Sequence, residues 1–333
     1  MLREDQESLR EGILTCSNPQ CLHEYPVIDG IPILVADLRA YITQNILPLL
    51  KRADLSSTME SLLGDCCGPG AAFDFQRQHL STYVFNHYGE FDTDAAPVTD
   101  LPFYSIATVL RKGISLLGGI PEGLILDLGC SVGRTAFEHA SGSNDLVLGI
   151  DLNFSMLQIA GKILDSRTVT YDRRRGGLIF EPREFPVSFP RMDAVDFWVA
   201  DVTNLPFADA TMALGSSLNL LDCVSSPYDH LRELTRVLRP GGAALLSTPY
   251  DWSQYTTAVE SWIGGHSQRS ENLGRSADIL RSLFENGSHP QAIKGMALAA
   301  EADNVPWTLR LHDRSIMTYF SHLLVGRKNP DPA

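Results

Sequence analysis

The chain has 333 residues, 44% of them hydrophobic and 20% charged, which provides enough apolar surface for a folded core and excludes a disordered protein. Lys and Arg number 27 against 40 Asp and Glu, so the formal net charge of −13 disfavours a nucleic-acid substrate. No apolar run reaches the roughly 18 residues of a membrane span, and the six scattered cysteines do not form a secreted disulfide framework. We therefore expect a cytoplasmic protein with reduced thiols and no membrane contact.

The first 118 residues are expected to form a small ribbon followed by helices. In residues 1–40, "EYPVIDGIPILV" alternates between apolar and polar positions and predicts two short strands joined at Asp29-Gly30. Residues 41–118 form the second predicted unit, a helical linker and cover. One helical stretch runs from about Leu38 to Leu63, "DCCGPG" breaks it, and helices rich in aromatic residues follow over 72–118. This helical part is expected to cover a binding site.

Residues 119–330 predict an α/β domain with a mostly parallel sheet. The apolar runs are "LILDLG", "DLVLGID", "VDFWVAD", "TMALGSSLN" and "GGAALLSTPY", with amphipathic helices after the first, second and fourth. "VPWTLRL" and "MTYFSHLLVGR" predict an antiparallel hairpin at the sheet edge. Residues 167–192 predict an inserted β-hairpin, and its basic run, Arg173 to Arg175, is interpreted as a solvated tip.

The stretch "LDLGCSVGR" follows the first predicted strand, where a doubly wound sheet binds its ligand. Its glycines, Gly129 and Gly133, lack the G-x-G-x-x-G spacing of a dinucleotide loop, and no Gly-Lys-Ser/Thr follows for a phosphate loop. The carboxylate of Asp127 would also repel a pyrophosphate. These features favour a neutral or cationic ligand, and S-adenosylmethionine, with its sulfonium and ammonium groups, meets that requirement.

Two further acids end the next predicted strands. Asp151 can accept hydrogen bonds from both ribose hydroxyls, and Asp201 can accept one from the adenine amino group while the Val202 N–H meets the ring. The three strand-end acids together therefore predict a site for a cationic nucleoside.

Four segments in order, "LDLGCSVGR", "LGIDLNFSML", "VADVTNLPF" and "LRELTRVLRPGGAALLSTP", resemble the motifs of class I S-adenosylmethionine-dependent methyltransferases over about residues 100–327. Ser131 departs from the family, which often has glycine there. The resemblance implies a Rossmann-like α/β sheet, mostly parallel with an antiparallel last strand, and S-adenosylmethionine as cofactor. The residues expected to bind this cofactor are Asp127, Gly129, Cys130, Ser131, Gly133, Arg134, Asp151, Leu152, Asp201, Val202 and Ser217.

A narrower resemblance is carried by "FNHYGEF", "GCSVGRTAFE", the inserted hairpin, "LNLLDCVSSP" and "PYDWSQYTTAVESWIGGH" in this order. The order is similar to the 4-mercaptohistidine N-methyltransferase domains of ovothiol biosynthesis. It implies a small-molecule substrate and N-methylation of the imidazole of a thiolated or other histidine derivative. A protein or RNA methyltransferase and a non-catalytic cofactor-binding scaffold remain the alternatives.

The N-terminal segment "GILTCSNPQCLHEYPVIDGIPILVADLRAY" resembles the second half of the small zinc-ribbon-like proteins that activate methyltransferases. Cys16, Cys21 and His23 supply at most three of the four ligands that zinc needs, with Cys66 or Cys67 as remote fourths. We therefore expect a degenerate ribbon without a metal, which serves as a structural cap and is a possible docking segment for a protein partner.

Candidate catalytic residues follow the fourth and fifth predicted strands. Asn219 and Asp222 are placed to meet the acceptor, although Asp222 is equally well explained as a helix cap. Tyr250 and Trp252 offer aromatic faces to a sulfonium or an imidazole, with core packing as the rival for Trp252. Tyr88 is expected to close the methionine end of the cofactor.

Three more side chains have weaker or competing interpretations. Arg134 is a candidate for binding a carboxylate of cofactor or substrate, with a surface ion pair as its alternative. Arg310 is a weaker candidate for a substrate carboxylate. His87 is interpreted first as a packing residue.

Overall fold

The computed structural model describes residues 3–5, 8–21, 23–50, 55–93, 102–285 and 289–330. The helices are α1 Leu38–Leu50, α2 Ser57–Cys67, α3 Ala72–Tyr88, α4 Ile106–Leu117, α5 Arg134–Ser141, α6 Phe154–Ser166, α7 Pro227–Val237 and α8 Ser276–Leu283. The strands are β1 Arg3–Asp5, β2 Ser8–Thr15, β3 Glu24–Ile28, β4 Ile31–Leu34, β5 Ile125–Leu128, β6 Val147–Asp151, β7 Thr168–Gly176, β8 Ile179–Pro186, β9 Val195–Ala200, β10 Met212–Leu218, β11 Leu238–Thr248, β12 Met296–His312 and β13 Ser315–Lys328.

Eleven of these strands form one sheet in the order β1-β2-β3-β4-β9-β6-β5-β10-β11-β13-β12. The strands from β4 to β11 pair in parallel, whereas β13 pairs antiparallel with β11 and β12 antiparallel with β13. The predicted Rossmann-like α/β class, mostly parallel with an antiparallel hairpin at the edge, is confirmed. The chain runs outward from β5 through β6 to β9 and then returns to β10, so the switch in direction lies beside the carboxyl end of β5.

The sheet is covered on both faces, as its sequence pattern predicts. All four residues of β5 are buried; Ile125 belongs to the core layer that includes α3 to α6, and Leu126 and Leu128 belong to the layer formed with α7 and α8. A strand buried on both faces needs apolar residues at consecutive positions rather than at alternate ones. Asp127 interrupts this pattern within β5, which marks it as a special position.

Local capping sets where the helices begin. The side chain of Asn153 accepts a hydrogen bond from the Met156 N–H at the start of α6. The side chain of Ser226 accepts one from the Asp229 N–H at the start of α7, and Pro227 occupies the first turn, where its missing N–H costs nothing. These caps position the two loops that precede the helices at the carboxyl ends of β6 and β10.

The N-terminal ribbon is part of the central sheet. The strands β3 and β4 are joined at Asp29-Gly30, and β4 then pairs in parallel with β9, Ile33 opposite Val199. Ile33 is fully buried. The strand β4 thus covers the edge of β9, which would otherwise expose unpaired backbone groups. The sequence analysis treated residues 1–40 as a separate unit and did not foresee this pairing. The domain boundaries at residues 40 and 118 stay a prediction. A protein partner for the N-terminal segment also stays a prediction.

The single helix predicted from about Leu38 to Leu63 is two helices in the structure, α1 and α2, and residues 51–54 between them lie outside the described residues. Within the described ranges, no three His, Cys, Asp or Glu side chains are grouped so that they could hold a metal ion. Cys16 and Cys21 are free thiols. None of the helices in these ranges is long and apolar enough to span a bilayer.

The strands β7 and β8 form a separate two-stranded antiparallel sheet between α6 and β9. This hairpin packs on α3, where the Ser81 hydroxyl accepts a hydrogen bond from the Arg174 N–H at 2.8 Å. The interpretation of Arg173 to Arg175 as a solvated tip is wrong for Arg173, which is only 5% exposed. The reversal of the chain comes after Gly176, so Arg173 lies in the packed part of β7.

Candidate active site

The loop after β5 has three residues in the left-handed backbone region. These are Gly129, Ser131 and Gly133, with φ values of 71°, 53° and 87°. A Cβ atom on Gly133 would also lie 2.6 Å from the Phe197 ring, so both the backbone and the packing require glycine there. Ser131 keeps the same backbone at a cost of about 1 kcal/mol for a residue with a Cβ, which explains why glycine is frequent at this position in the family that the sequence resembles.

Asp127 lies beneath this loop and is 2% exposed. Its two carboxylate oxygens accept hydrogen bonds from the hydroxyls of Thr135, at 2.6 Å, and Ser216, at 2.8 Å. The Ser216 hydroxyl in turn lies 2.8 Å from Nε2 of His139. Burial raises the pKa of Asp127 to about 6 although both hydroxyl groups oppose the shift. Asp127 therefore stabilises the loop through these hydrogen bonds. Its predicted effect on the cofactor would act through its charge and not through direct contact with the cofactor.

Asp151 is the last residue of β6 and contacts the glycine loop after β5. Its Oδ2 accepts the Ser131 N–H at 3.0 Å and its Oδ1 accepts the Asn153 N–H at 2.8 Å. Each carboxylate oxygen can accept a second hydrogen bond, so the group still fits a ribose with two hydroxyls. Burial raises the pKa of Asp151. Next to it, the Leu152 side chain is exposed, and the Leu152 carbonyl accepts the Tyr41 hydroxyl of α1 at 2.9 Å.

Asp201 follows β9 and is half-buried. Its Oδ1 accepts hydrogen bonds from both the N–H and the hydroxyl of Thr203, at 2.8 and 2.7 Å, which fixes the carboxylate at the strand end. Val202 is buried beside it, and its carbonyl faces Nδ1 of His230 at 3.5 Å. Ser217 is fully buried, and its hydroxyl lies 2.8 Å from Nε2 of the same histidine. Asp201 and Val202 stay candidates for the adenine, whereas the Ser217 hydroxyl is engaged inside the protein.

Arg134 is fully buried, and its guanidinium binds three groups of the protein itself. These are the carboxylates of Glu138 and Glu90, at 2.7 and 2.5 Å, and the carbonyl of His87, at 2.7 Å. The carboxylates that it binds are therefore internal, which removes the reason for expecting it at a carboxylate of cofactor or substrate. The alternative interpretation, a surface ion pair, is wrong as well, because the Arg134 guanidinium is fully buried.

Tyr88 and Cys130 are also fully buried. The Tyr88 hydroxyl donates to the Val132 carbonyl at 2.8 Å, so α3 is fastened directly to the glycine loop. Tyr88 thus positions the loop, and its hydroxyl does not point at a ligand as the sequence reasoning expected. Cys130 contributes to the loop through its backbone, while its thiol is enclosed among core side chains.

Asn219 follows β10 with a φ of 53°, and hydrogen bonds from two strands hold it. Its Oδ1 accepts the hydroxyls of Ser247, in β11, and Ser321, in β13, at 2.9 and 2.8 Å. Its Nδ2 is buried without a hydrogen-bond partner among the described residues. The amide is therefore held through its oxygen, and the two N–H donors of Nδ2 are left for another molecule.

Asp222 lies in the short 3-10 turn after β10 and is 2% exposed. Its Oδ2 accepts the Asp251 N–H at 2.7 Å, while its Oδ1 is buried with no hydrogen-bond partner in the part of the chain that the structure describes. Burial raises the pKa of Asp222 to about 6, and the nearby Asp251 charge adds to the shift. Because Ser226 caps α7, the helix-cap explanation of Asp222 is excluded. Its carboxylate joins the loop after β10 to the loop after β11.

Two tyrosines that sequence reasoning overlooked complete this side of the site. The Tyr319 hydroxyl of β13 donates to Asp251 Oδ2 at 2.8 Å. Tyr83 of α3 is close enough to Cys223, Asp151, Tyr319 and Asp222 for each of them to raise its pKa, although burial is the largest cause. Tyr83 is therefore within electrostatic reach of both Asp151 and Asp222. Tyr83 belongs to the aromatic segment "STYVFNHYGEF" and lies about one helical turn before His87 and Tyr88, the two residues that the sequence analysis considered.

Tyr250 lies within electrostatic reach of Asp222, but its hydroxyl and the Trp252 ring contact other parts of the protein. The Tyr250 hydroxyl lies 2.6 Å from Nδ1 of His322, whose Nε2 contacts Glu301 at 3.0 Å, and its ring packs against the core layer of α7 and α8. Trp252 stacks on Trp262 with ring centroids 6.0 Å apart. Core packing, the rival interpretation of Trp252, matches this position better than an aromatic face toward a ligand.

Residues 126–246 match the protein family described as "Methyltransferase domain". This range begins within β5, ends within β11 and contains the glycine loop and the strand-end acids. Residues 126–246 therefore match a methyltransferase domain, and the match implies S-adenosylmethionine as its cofactor.

The curated relatives agree with this domain. One is an uncharacterized methyltransferase of Mycolicibacterium gilvum, 32% identical over 131 residues, which are 38% of this chain and 49% of the relative. Another is the 27-O-demethylrifamycin SV methyltransferase of Amycolatopsis mediterranei, 22% identical over 206 residues, 61% of this chain and 63% of the relative. The chain spans about half the length of the first of them. Among solved structures, a SAM-dependent methyltransferase of Methanosarcina mazei has a TM-score of 0.42 and 17% identity over 69% of this chain and all of that one.

Proposed function

We propose that the protein transfers a methyl group from S-adenosylmethionine to a ring nitrogen of a small heteroaromatic molecule. The acceptor that we favour is the imidazole of a thiolated or other histidine derivative. The observation that carries this proposal is the buried Oδ1 of Asp222, which has no hydrogen-bond partner in the described part of the protein. A proton-bearing ring nitrogen would supply a donor to this oxygen.

The charges around Asp222 support an acceptor of this class. Asp251 and Asp222 lie together, and Tyr83 and Tyr319 add phenol hydroxyls rather than positive groups. A carboxylate or phosphate as the methylated group would be repelled by the buried Asp222 and by the exposed Asp251 beside it. A neutral or cationic imidazole would be attracted, so the electrostatics select the chemical class of acceptor.

The roles of the residues follow from their positions. The cofactor supplies an electrophilic methyl group, so the protein has to orient the acceptor, exclude water and receive a proton. Asp151 and Asp201 would hold the ribose and the adenine. Asp222 would accept the proton that leaves one ring nitrogen once the other has taken the methyl group, because its pKa of about 6 is close to the ordinary value of about 6.5 for a protonated imidazole. Asp251, fixed by Tyr319, would keep the Asp222 carboxylate in place.

The burial of Asp222 also favours a small acceptor over a protein or an RNA. A side chain that is 2% exposed can be reached by a compact ring, whereas a macromolecular substrate would have to present a thin projecting group. Substrates of that kind stay the alternative, together with a scaffold that binds the cofactor without turnover.

The direct test is to incubate the full chain with S-adenosylmethionine and single imidazole or thiol metabolites and to measure S-adenosylhomocysteine. We expect turnover with a histidine derivative and methylation at a ring nitrogen, located by mass spectrometry and NMR. Asp165→Asn, which removes an exposed carboxylate from α6, is the matched control for Asp222→Asn. Turnover on proteins or RNA alone would refute the small-molecule proposal, and cofactor binding with no turnover on either class would favour the scaffold.

A further inference from the structure

A second group of charged residues lies under the β7–β8 hairpin, outside the methyltransferase site. We call it the hairpin cluster; it consists of Arg173, Arg175, Arg183, Arg310, Asp92, Glu181 and Asp313. Ion pairs connect its members, and they come from β7, β8, β12, the turn after β12 and the segment after α3. Four arginines face three acids, so these residues carry one excess positive charge.

The ion pairs leave several buried donors of this cluster unused. Arg173 is 5% exposed, and Arg310 is 6% exposed. Among the described residues, Nε and Nη1 of Arg173 and Nε of Arg310 have no hydrogen-bond partner, and neither has the buried hydroxyl of Tyr171. Asp92 Oδ2 lies 3.9 Å from Arg173 Nη1, beyond hydrogen-bond distance, and both Asp92 oxygens already accept hydrogen bonds from Arg183.

The unused donors belong to one place. Tyr171 lies within electrostatic reach of Arg173, Arg310 and Asp92, which all affect its hydroxyl. Burial lowers the pKa of Arg310, and the neighbouring positive charge of Arg173 adds to this effect against the opposing Asp313. Strands β7 and β12 are in contact, and the Arg310 guanidinium is held over the Phe85 ring at 4.7 Å. Tyr171 and Arg173 share the buried face of β7, and Arg310 lies on the contacting strand β12, so two buried guanidinium groups and a phenol lack acceptors in one region.

Buried charged donors without acceptors are costly, and a guanidinium is the side chain best suited to carboxylate and phosphate oxygens. We propose that the hairpin cluster binds one small oxyanion, a carboxylate or phosphate group, through Arg173, Arg310 and Tyr171. The bound anion would cancel the excess charge and fasten the hairpin to β12. Arg175 and Glu181 are partly exposed at the rim of the cluster, so it reaches the surface.

The test measures the thermal unfolding midpoint of the full chain during titrations with sodium phosphate and with sodium acetate. Sodium chloride keeps the ionic strength constant, because screening alone changes surface pairs. We expect a saturable rise in the midpoint with at least one of the two anions. Saturation by acetate identifies a carboxylate site, and saturation by phosphate identifies a phosphate site.

Variants separate a built site from general salt effects. Arg310→Met should weaken the apparent affinity about tenfold or more, the loss expected for one charge-assisted hydrogen bond. Arg232→Met, which removes an exposed arginine from α7, should respond like the wild type. Tyr171→Phe removes only a hydroxyl, so it should fold without the anion and show a smaller anion-induced rise. A response no larger than that of chloride, or equal responses in all variants, would overturn the proposal.

Discussion

The Asp222→Asn substitution tests the chemistry of the site most directly. Asparagine has nearly the same shape as aspartate, and its amide oxygen can still accept the Asp251 N–H that now lies 2.7 Å from Asp222 Oδ2. The change therefore keeps the link between the two loops and removes the charge and the proton acceptor. We expect it to lower methyl transfer and, at neutral pH, to raise the stability of the fold.

The magnitude of both effects follows from the pKa of Asp222. Burial raises this pKa from 3.8 to about 6, so the folded state binds the proton more tightly than the unfolded state. This contribution to stability is fully present below about pH 4 and is lost as the pH rises to about 6, a difference of about 3 kcal/mol at 1.4 kcal/mol per pH unit. The asparagine variant has no such loss, because its amide does not titrate, so it should be more stable than the wild type above pH 7 by up to about 3 kcal/mol.

The assays are urea unfolding at pH 4 and pH 8, and kcat/KM between pH 5 and 9 with the acceptor identified by the screen. The wild-type kcat/KM should rise through an apparent pKa near 6, since the carboxylate form accepts the proton. Asp222→Asn should reduce kcat/KM by about 10²- to 10⁴-fold, the usual contribution of a general base. An inflection that survives in the variant belongs to the imidazole acceptor or to Asp127, whose pKa is also about 6, and Asp165→Asn should behave like the wild type.

Two results would refute this reasoning. If Asp222→Asn keeps the wild-type kcat/KM and pH profile, Asp222 does not receive the proton. If its unfolding free energy changes equally at pH 4 and pH 8, the carboxylate is not destabilised by burial.

Two further predictions concern the cofactor side. Asp151→Ala should weaken S-adenosylmethionine binding about tenfold or more in calorimetry, because a charged acceptor for ribose hydroxyls is lost. Asp165→Asn, which removes an exposed carboxylate from α6, should leave the affinity within about twofold; equal affinities of Asp151→Ala and the wild type would remove the ribose assignment. Ser131→Gly should raise the unfolding free energy in urea by about 1 kcal/mol, because glycine relieves the left-handed backbone. Gly133→Ala should lower it by more than about 1 kcal/mol, because the added Cβ would meet the Phe197 ring at 2.6 Å. A Ser131→Gly variant less stable than Gly133→Ala would contradict the backbone argument.

The sequence alone determined the part of the sheet that runs from β5 to β13 and the position of the glycine loop, but not the addition of the N-terminal strands. Continuous apolar runs such as "LILDLG" specify strands buried on both faces, and the helices between them require parallel crossovers. Once these strands are parallel, Asp127, Asp151 and Asp201 must approach the same edge, since each belongs to the carboxyl end of its own strand. The class of ligand could therefore be inferred without coordinates.

The tertiary structure decided which of these side chains are available to a ligand. Motif reasoning could not show that Arg134 and Ser217 are engaged by internal partners, because Glu90 and His230 come from other elements of the chain. It also missed Tyr83 and Tyr319, which reach the site only through the packing of α3 and β13 against the sheet. Sequence spacing determines which residues lie at the end of a strand. Contacts between distant elements determine which polar atoms of these residues remain unpaired, and unpaired polar atoms are the ones that can bind a substrate.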